Sequence, residues 1–144
     1  MDATFAPLAP ILQTRGLRPS PQRLAVYRYL CNTKTHPNVE MIYTALIQDY
    51  PTLSRTTVYQ TLDALYNCGL ISRFSDGNEM RFDAETREHG HFKCTGCGNI
   101  TDILWPEGTL LPKPESDFLI METLLFYKGL CPVCRKASPK SPQR

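Results

Sequence analysis

Acidic residues are nearly missing from the first quarter of the chain, where Asp2 stands alone. Between Ala3 and Val39 there is none, while Arg15, Arg18, Arg23, Arg28 and Lys34 all fall there. A basic, acid-free stretch suits a phosphate-facing surface and equally an ordinary solvated face, so by itself it does not choose between them. Long apolar runs are missing too. The longest are a few residues, far below the roughly 18 to 20 that cross a bilayer, which argues against a membrane-spanning helix. The opening MDATFAPLAPILQTRG places no basic residue ahead of its apolar ones, so no secretory leader is expected and the cytosol is the expected compartment. Histidine is scarce, with three in 144 residues, and no segment repeats.

What is present supports a folded protein. Hydrophobic residues make up 42%, enough to bury a core, and the length allows one ordinary domain or two small ones. The net charge of +2 says little without its distribution. In a reducing compartment the six cysteines are expected as metal ligands or buried thiols rather than disulfides.

The first half reads as helices. Ser20-Pro21 offers an N-cap followed by proline at the first helical position, with Leu24, Tyr27, Leu30 and Cys31 on one face. After His36-Pro37-Asn38 a second helix runs from about Val39, with Ile42, Leu46 and Met41 inward, and Pro51 as its stop. Ser54 caps a third, SRTTVYQTLDALYNCG, with Val58, Leu62 and Leu65 inward and Gly69 at its end. Two strand candidates follow, Leu70 to Phe74 and Glu79 to Asp83, around the turn residues Ser75-Asp76-Gly77-Asn78.

Three helices and a hairpin are the order of a winged helix-turn-helix, whose third helix enters the major groove. Opposite its apolar stripe that helix carries Arg55, Thr56, Tyr59, Gln60 and Asp63, side chains able to reach bases or phosphates. Three-helix units that bind no DNA share the pattern.

Beyond Thr86, Asn99 to Trp105 and Phe118 to Tyr127 are strand candidates, with a short helix near Glu115 to Phe118. The expected organisation is α+β: residues 1–83 as the winged-helix domain, 84–136 as a small metal-binding α/β domain, and 137–144 as a disordered polar tail.

Cys94-Thr95-Gly96-Cys97 and Cys131-Pro132-Val133-Cys134 form two CxxC knuckles. Together they complete a tetrahedral all-sulfur shell with sulfurs about 2.3 Å from zinc, closed and therefore structural. Gly96 and Gly98 supply backbone freedom at the first knuckle. The rival is a redox dithiol of the thioredoxin type, which sits at a helix N-terminus within a βαβ pattern, a setting expected for neither pair. Cys31 and Cys68 fall in helical stretches and are expected as buried, inert thiols.

His89 and His91 alternate, so on a strand both rings point to one face as a ready metal pair, with Asp83 upstream and Asp102 downstream. His36 is not assignable to metal from spacing alone.

The run GLRPSPQR, HPNVEMIY, SRTTVYQTL, RFD, HGHFKCTGCGNITD and CPVC resembles the ferric uptake regulator (Fur) family, in the family's order, from about Leu12 to Cys134. Singly these motifs are weak; together they are specific. The resemblance implies a homodimer with an N-terminal winged helix and a C-terminal dimerisation domain, binding palindromic double-stranded operator DNA as a repressor. It implies structural zinc on Cys94, Cys97, Cys131 and Cys134. It also implies a regulatory Fe²⁺ or Mn²⁺ held by His36, Asp83, His89, His91 and Asp102, which brings His36 into the ligand set. Three histidines and two aspartates, with no richer histidine cluster before the first knuckle and Glu122 and Thr123 where a late histidine is frequent, look like the peroxide-sensing branch. There, iron-driven oxidation falls on residues matching His36 and His91, a sacrificial event that makes the protein a sensor and not an enzyme. For DNA the resemblance points to Arg15, Arg55, Thr57, Tyr59 and Gln60. Gln60 stands where arginine or asparagine is frequent in the family. The alternatives are an iron- or manganese-level regulator of the same fold, a thiol oxidoreductase, and a metal store.

Overall fold

The structure, a computed structural model, describes residues 7–138 and divides into two compact units, Met1–Thr86 and Arg87–Arg144. In the first unit four helices, α1 (Leu8–Thr14), α2 (Pro21–Asn32), α3 (Val39–Leu46) and α4 (Arg55–Asn67), precede a hairpin of β1 (Ser72–Ser75) and β2 (Met80–Asp83). Each of the three expected helix starts is capped as its sequence requires. Ser20 Oγ accepts from Arg23 N, Asn38 Oδ1 from Met41 N, and Ser54 Oγ from Thr57 N, each satisfying an amide that the first helical turn leaves open.

One core holds these elements. Leu12 of α1, Val26 and Leu30 of α2, Ile42 of α3, and Val58, Leu62 and Leu65 of α4 are all essentially inaccessible, with Leu70, Ile71 and Phe82 closing the hairpin side. Each such side chain contributes about 1.5 to 3 kcal/mol on burial. The hairpin pairs antiparallel from Ser72↔Asp83 to Ser75↔Met80.

Several expectations need correction. α1 was not anticipated: its Pro10 breaks the helical reading, yet proline is tolerated in a first turn, and buried Leu12 anchors the segment. The inward stripe of α2 is Ala25, Val26, Tyr27 and Leu30. Cys31 lies outside it and is exposed, and Cys68 is only half-buried. Met41 is also exposed, and α3 ends at Leu46, ahead of Pro51.

The second unit contains β3 (Gly90–Cys94), β4 (Ile100–Ile103), β5 (Phe126–Gly129) and α5 (Pro132–Ala137). The sheet order is β4-β3-β5, with β3–β4 antiparallel and β3–β5 parallel. Of the expected strand Phe118 to Tyr127 only the last two residues belong to a strand, because pairing with β3 begins at His91↔Phe126. The expected helix near Glu115 is a turn closed by Phe118 N donating to Glu115 O at 3.2 Å. Ala137 ends α5, and residues 139–144 of the expected tail lie outside the described residues.

Among its described residues only His89, Gly90, His91 and Cys94 are buried, so this unit has almost no apolar core. Leu110, Leu119 and Met121 are more than four-fifths exposed. No helix among the described residues is long and apolar enough to cross a membrane.

Candidate metal centres and nucleic-acid interface

Parallel pairing explains how the two distant knuckles meet. β3 ends on Cys94, which lies opposite Gly129, the last residue of β5. Two parallel strands therefore deliver their CxxC turns to the same end of the sheet. Thr95 N donates to Gly129 O at 2.7 Å and fixes this register just beyond β3. The four sulfurs lie within 4.8 Å of one another, with Cys97 Sγ 4.0 Å from Cys131 Sγ. Tetrahedral ligands 2.3 Å from zinc stand about 3.8 Å apart, so the set fits that ion. A Cβ at Gly96 would come to 3.0 Å from Cys134 Cβ and Sγ, tighter than ordinary packing, and the φ of +78° at Gly98 favours glycine.

The electrostatics also call for a cation. Amides of Cys131 and Cys97 point at Cys94 Sγ, at 3.3 and 3.5 Å, and lower its pKa to about 6. The last thiol is the reverse: hydrogen bonding to Cys131 and Cys94 raises Cys134 to about 12. One thiolate forms readily, but four crowded thiolates need positive charge among them.

One sequence expectation fails here. Cys131 is the N-cap of α5, its sulfur accepting from Cys134 N with Pro132 at the first position. CPVC therefore does sit at a helix N-terminus, one half of the redox setting, but no strand follows α5 among the described residues, so the βαβ half is missing. The convergence of both knuckles, which an isolated dithiol lacks, now carries that discrimination.

Two further donor sets have nitrogen and oxygen only. In the first unit His36 Nε2 lies 3.3 Å from Asp83 Oδ2 at the end of β2, and both are largely buried. In the second unit the β3–β4 register places Asp102 opposite His91. Asp102 Oδ1 lies 3.3 Å from His89 Nε2 and 3.4 Å from His91 Nε2, and the two rings meet edge-on at 4.6 Å. The rings do share a neighbourhood, although His89 precedes β3. Ligands about 2.1 Å from one ion, set at right angles, stand about 3.0 Å apart. Each set thus has the spacing of a partial coordination shell.

The outward face of α4 is as the sequence predicts: Arg55, Thr56, Tyr59, Gln60 and Asp63 are exposed, with Tyr59 60% accessible. Thr57 is half-buried and its hydroxyl is engaged with Ser54 Oγ at 2.9 Å. Arg55 is held by a two-pronged contact to Glu40, at 2.7 and 2.8 Å, above the Tyr43 ring. Arg15 Nη1 donates to Cys68 O at 2.9 Å, at the C-terminal end of α4. Sequence reasoning missed Glu40, and it missed Asp76 and Arg81 of the hairpin. Asp76 stood in a segment read only as turn chemistry.

The chain is 34% identical over 128 residues, 86% of each chain, to the peroxide-responsive repressor PerR of Staphylococcus aureus. Among solved structures it resembles the Campylobacter jejuni peroxide stress regulator, with a TM-score of 0.60, 24% identity and coverage of 91% of this chain and 97% of that one. It also resembles a zinc uptake regulator complexed with zinc and DNA, with a TM-score of 0.66, 20% identity and coverage of 92% and 93%. These structures share its α+β fold of an N-terminal winged helix followed by a small sheet-bearing unit. The model of the ferric uptake regulator family matches residues 14–109, and the chain belongs to that family.

Proposed function

We propose that this protein is a homodimeric, metal-dependent transcriptional repressor that binds palindromic operator DNA in the cytoplasm and senses peroxide. The observation that carries the reading is the separation of donor chemistry. Four cysteine sulfurs are gathered within 4.8 Å of one another, a set suited to structural zinc, while imidazole and carboxylate donors form the other two sets. Nitrogen and oxygen donors suit Fe²⁺ or Mn²⁺.

His36 and Asp83 would supply two ligands from the first unit, and His89, His91 and Asp102 three from the second. Neither set fills a coordination sphere alone, so the ion is bound best in the conformation that unites them, and that preference biases the dimer toward its DNA-binding state. Bound Fe²⁺ would supply the reducing electron for peroxide, with oxidation falling on His36 or His91. The loss of a ligand imidazole is sacrificial, so the protein is a sensor and not an enzyme. The bare apolar side chains of the second unit, Leu110, Leu119 and Met121 among them, are what a dimer partner would cover.

The test compares Fe²⁺-loaded and Mn²⁺-loaded protein on a family-type palindrome, with and without peroxide. Loss of binding in the iron form alone, with one oxygen gained on the peptide bearing His36 or His91, is expected. Equal resistance of both forms would remove peroxide sensing and leave a metal-level regulator.

For DNA we propose Arg15, Arg55, Thr57, Tyr59 and Gln60 on or beside α4. Glu40 neutralises Arg55 in the free protein, so a phosphate must displace a carboxylate before Arg55 can engage. Glu40→Gln is expected to tighten binding to a mixed-sequence duplex roughly two- to fivefold at low salt. Arg55→Met is expected to flatten the slope of log K against log salt by about 0.9, the loss of one phosphate contact. An unchanged slope would place Arg55 outside the interface.

A further inference from the structure

His36 has a backbone that its sequence disfavours. Its φ is +52°, and it is the one residue other than glycine with positive φ among the described residues. L side chains adopt that region rarely, and a residue before proline is biased toward extended backbone. Something must hold it there.

The β1–β2 hairpin does so from three directions. Phe82 N donates to Pro37 O at 3.0 Å. The Phe74 ring meets the imidazole edge-on, with centroids 5.8 Å apart. Arg81 Nη1 donates to the His36 carbonyl at 3.3 Å. Arg81 is itself fixed, because its Nε donates at 2.8 Å to Oδ2 of Asp76, whose side chain is fully buried. Asp76 Oδ1 accepts from Asn78 N and Glu79 N, at 2.8 and 3.0 Å, so the carboxylate organises the turn as well. Glu79 closes the circuit, with Oε1 3.3 Å from Arg81 Nη2 and Oε2 accepting from Asn38 Nδ2 at 2.7 Å. Burying a charged pair is unfavourable unless the geometry repays it, and a hairpin turn alone needs no arginine.

We propose that Arg81 and Asp76 are positioning residues for His36: they hold its strained backbone so that the imidazole is directed toward the metal before any ion arrives. The inference rests on the reading of His36 as a regulatory ligand. Residues that orient a ligand from behind typically change metal affinity 10- to 100-fold when lost.

The experiment measures Mn²⁺ affinity of the full, zinc-loaded chain by electron paramagnetic resonance, alongside thermal denaturation. Arg81→Met keeps the apolar stem and removes the fork; Asp76→Asn keeps the turn acceptor and removes the charge. Both are expected to weaken Mn²⁺ binding about tenfold or more. Leu53→Ala, in the same core, should lower the melting temperature and leave Mn²⁺ affinity in place. In a His36→Ala background Arg81→Met should have no further effect on affinity, since its influence passes through His36. A fall in melting temperature with unchanged Mn²⁺ affinity in both variants would make the pair purely structural and overturn the proposal. So would an undiminished effect in the His36→Ala background. If His36→Ala alone leaves Mn²⁺ affinity unchanged, the ligand assignment fails first and the positioning role falls with it.

Discussion

Cys94→Ser is expected to remove one equivalent of zinc per chain and to unfold the Arg87–Arg144 unit while the Met1–Thr86 unit stays folded. Cys94 is the buried member of the four, the end of β3, and the acceptor of amides from both knuckles. Structural zinc sites contribute about 10 kcal/mol or more to folding, comparable with the roughly 5 to 15 kcal/mol that stabilises a whole domain. Among its described residues the second unit has almost no apolar core to take up that loss, whereas the first has a continuous one. Zinc content by mass spectrometry, helical circular dichroism from α2 to α4, and amide exchange along β3 and β5 separate the two units. Protection of β3 and β5 that survives zinc loss would sink the idea.

The second large effect is expected at Leu62. Its side chain is inaccessible on the inward face of α4, between Val58 and Leu65. Leu62→Ala leaves a cavity and should destabilise the first unit by about 2 to 5 kcal/mol, lowering its urea midpoint by about 1 to 3 M. Gln60→Ala, two residues away on the exposed face, should stay within about 0.5 kcal/mol of the parent. Urea unfolding followed by tyrosine fluorescence compares them; equal midpoints would mean that α4 does not pack as described.

The sequence made local chemistry legible and long-range geometry much less so. Caps at Ser20 and Ser54, the inward stripe of α4 and the turn at Asp76 depend on neighbours a few residues apart, and all are found. His89 and His91 do bring their rings together, though His89 stands just ahead of β3 rather than on it. What escaped depends on partners far along the chain. Neither Arg81 nor Asp76 announces that the pair reaches back to His36, 45 residues away from Arg81. The extent of β5 is set by its register against β3, and residues 118–125 gain no strand from their own alternation. Cys31 misled because helical spacing identifies a face without saying where its edge falls. The helix after Cys131 was hidden because CPVC was read for its sulfurs and not for its capping residue and proline.

The parallel pairing of β3 and β5 has a consequence for biosynthesis. Cys97 and Cys131 are 34 residues apart, and ribosomes add about 5 to 20 residues per second, so the second knuckle follows the first by roughly 2 to 7 s. During that interval the nascent chain carries an open dithiol clamp with half a coordination shell, while the helical unit before it already has all its core residues. Metal loading of the complete shell therefore waits for the second knuckle, and until then the first holds only two of the four sulfur donors.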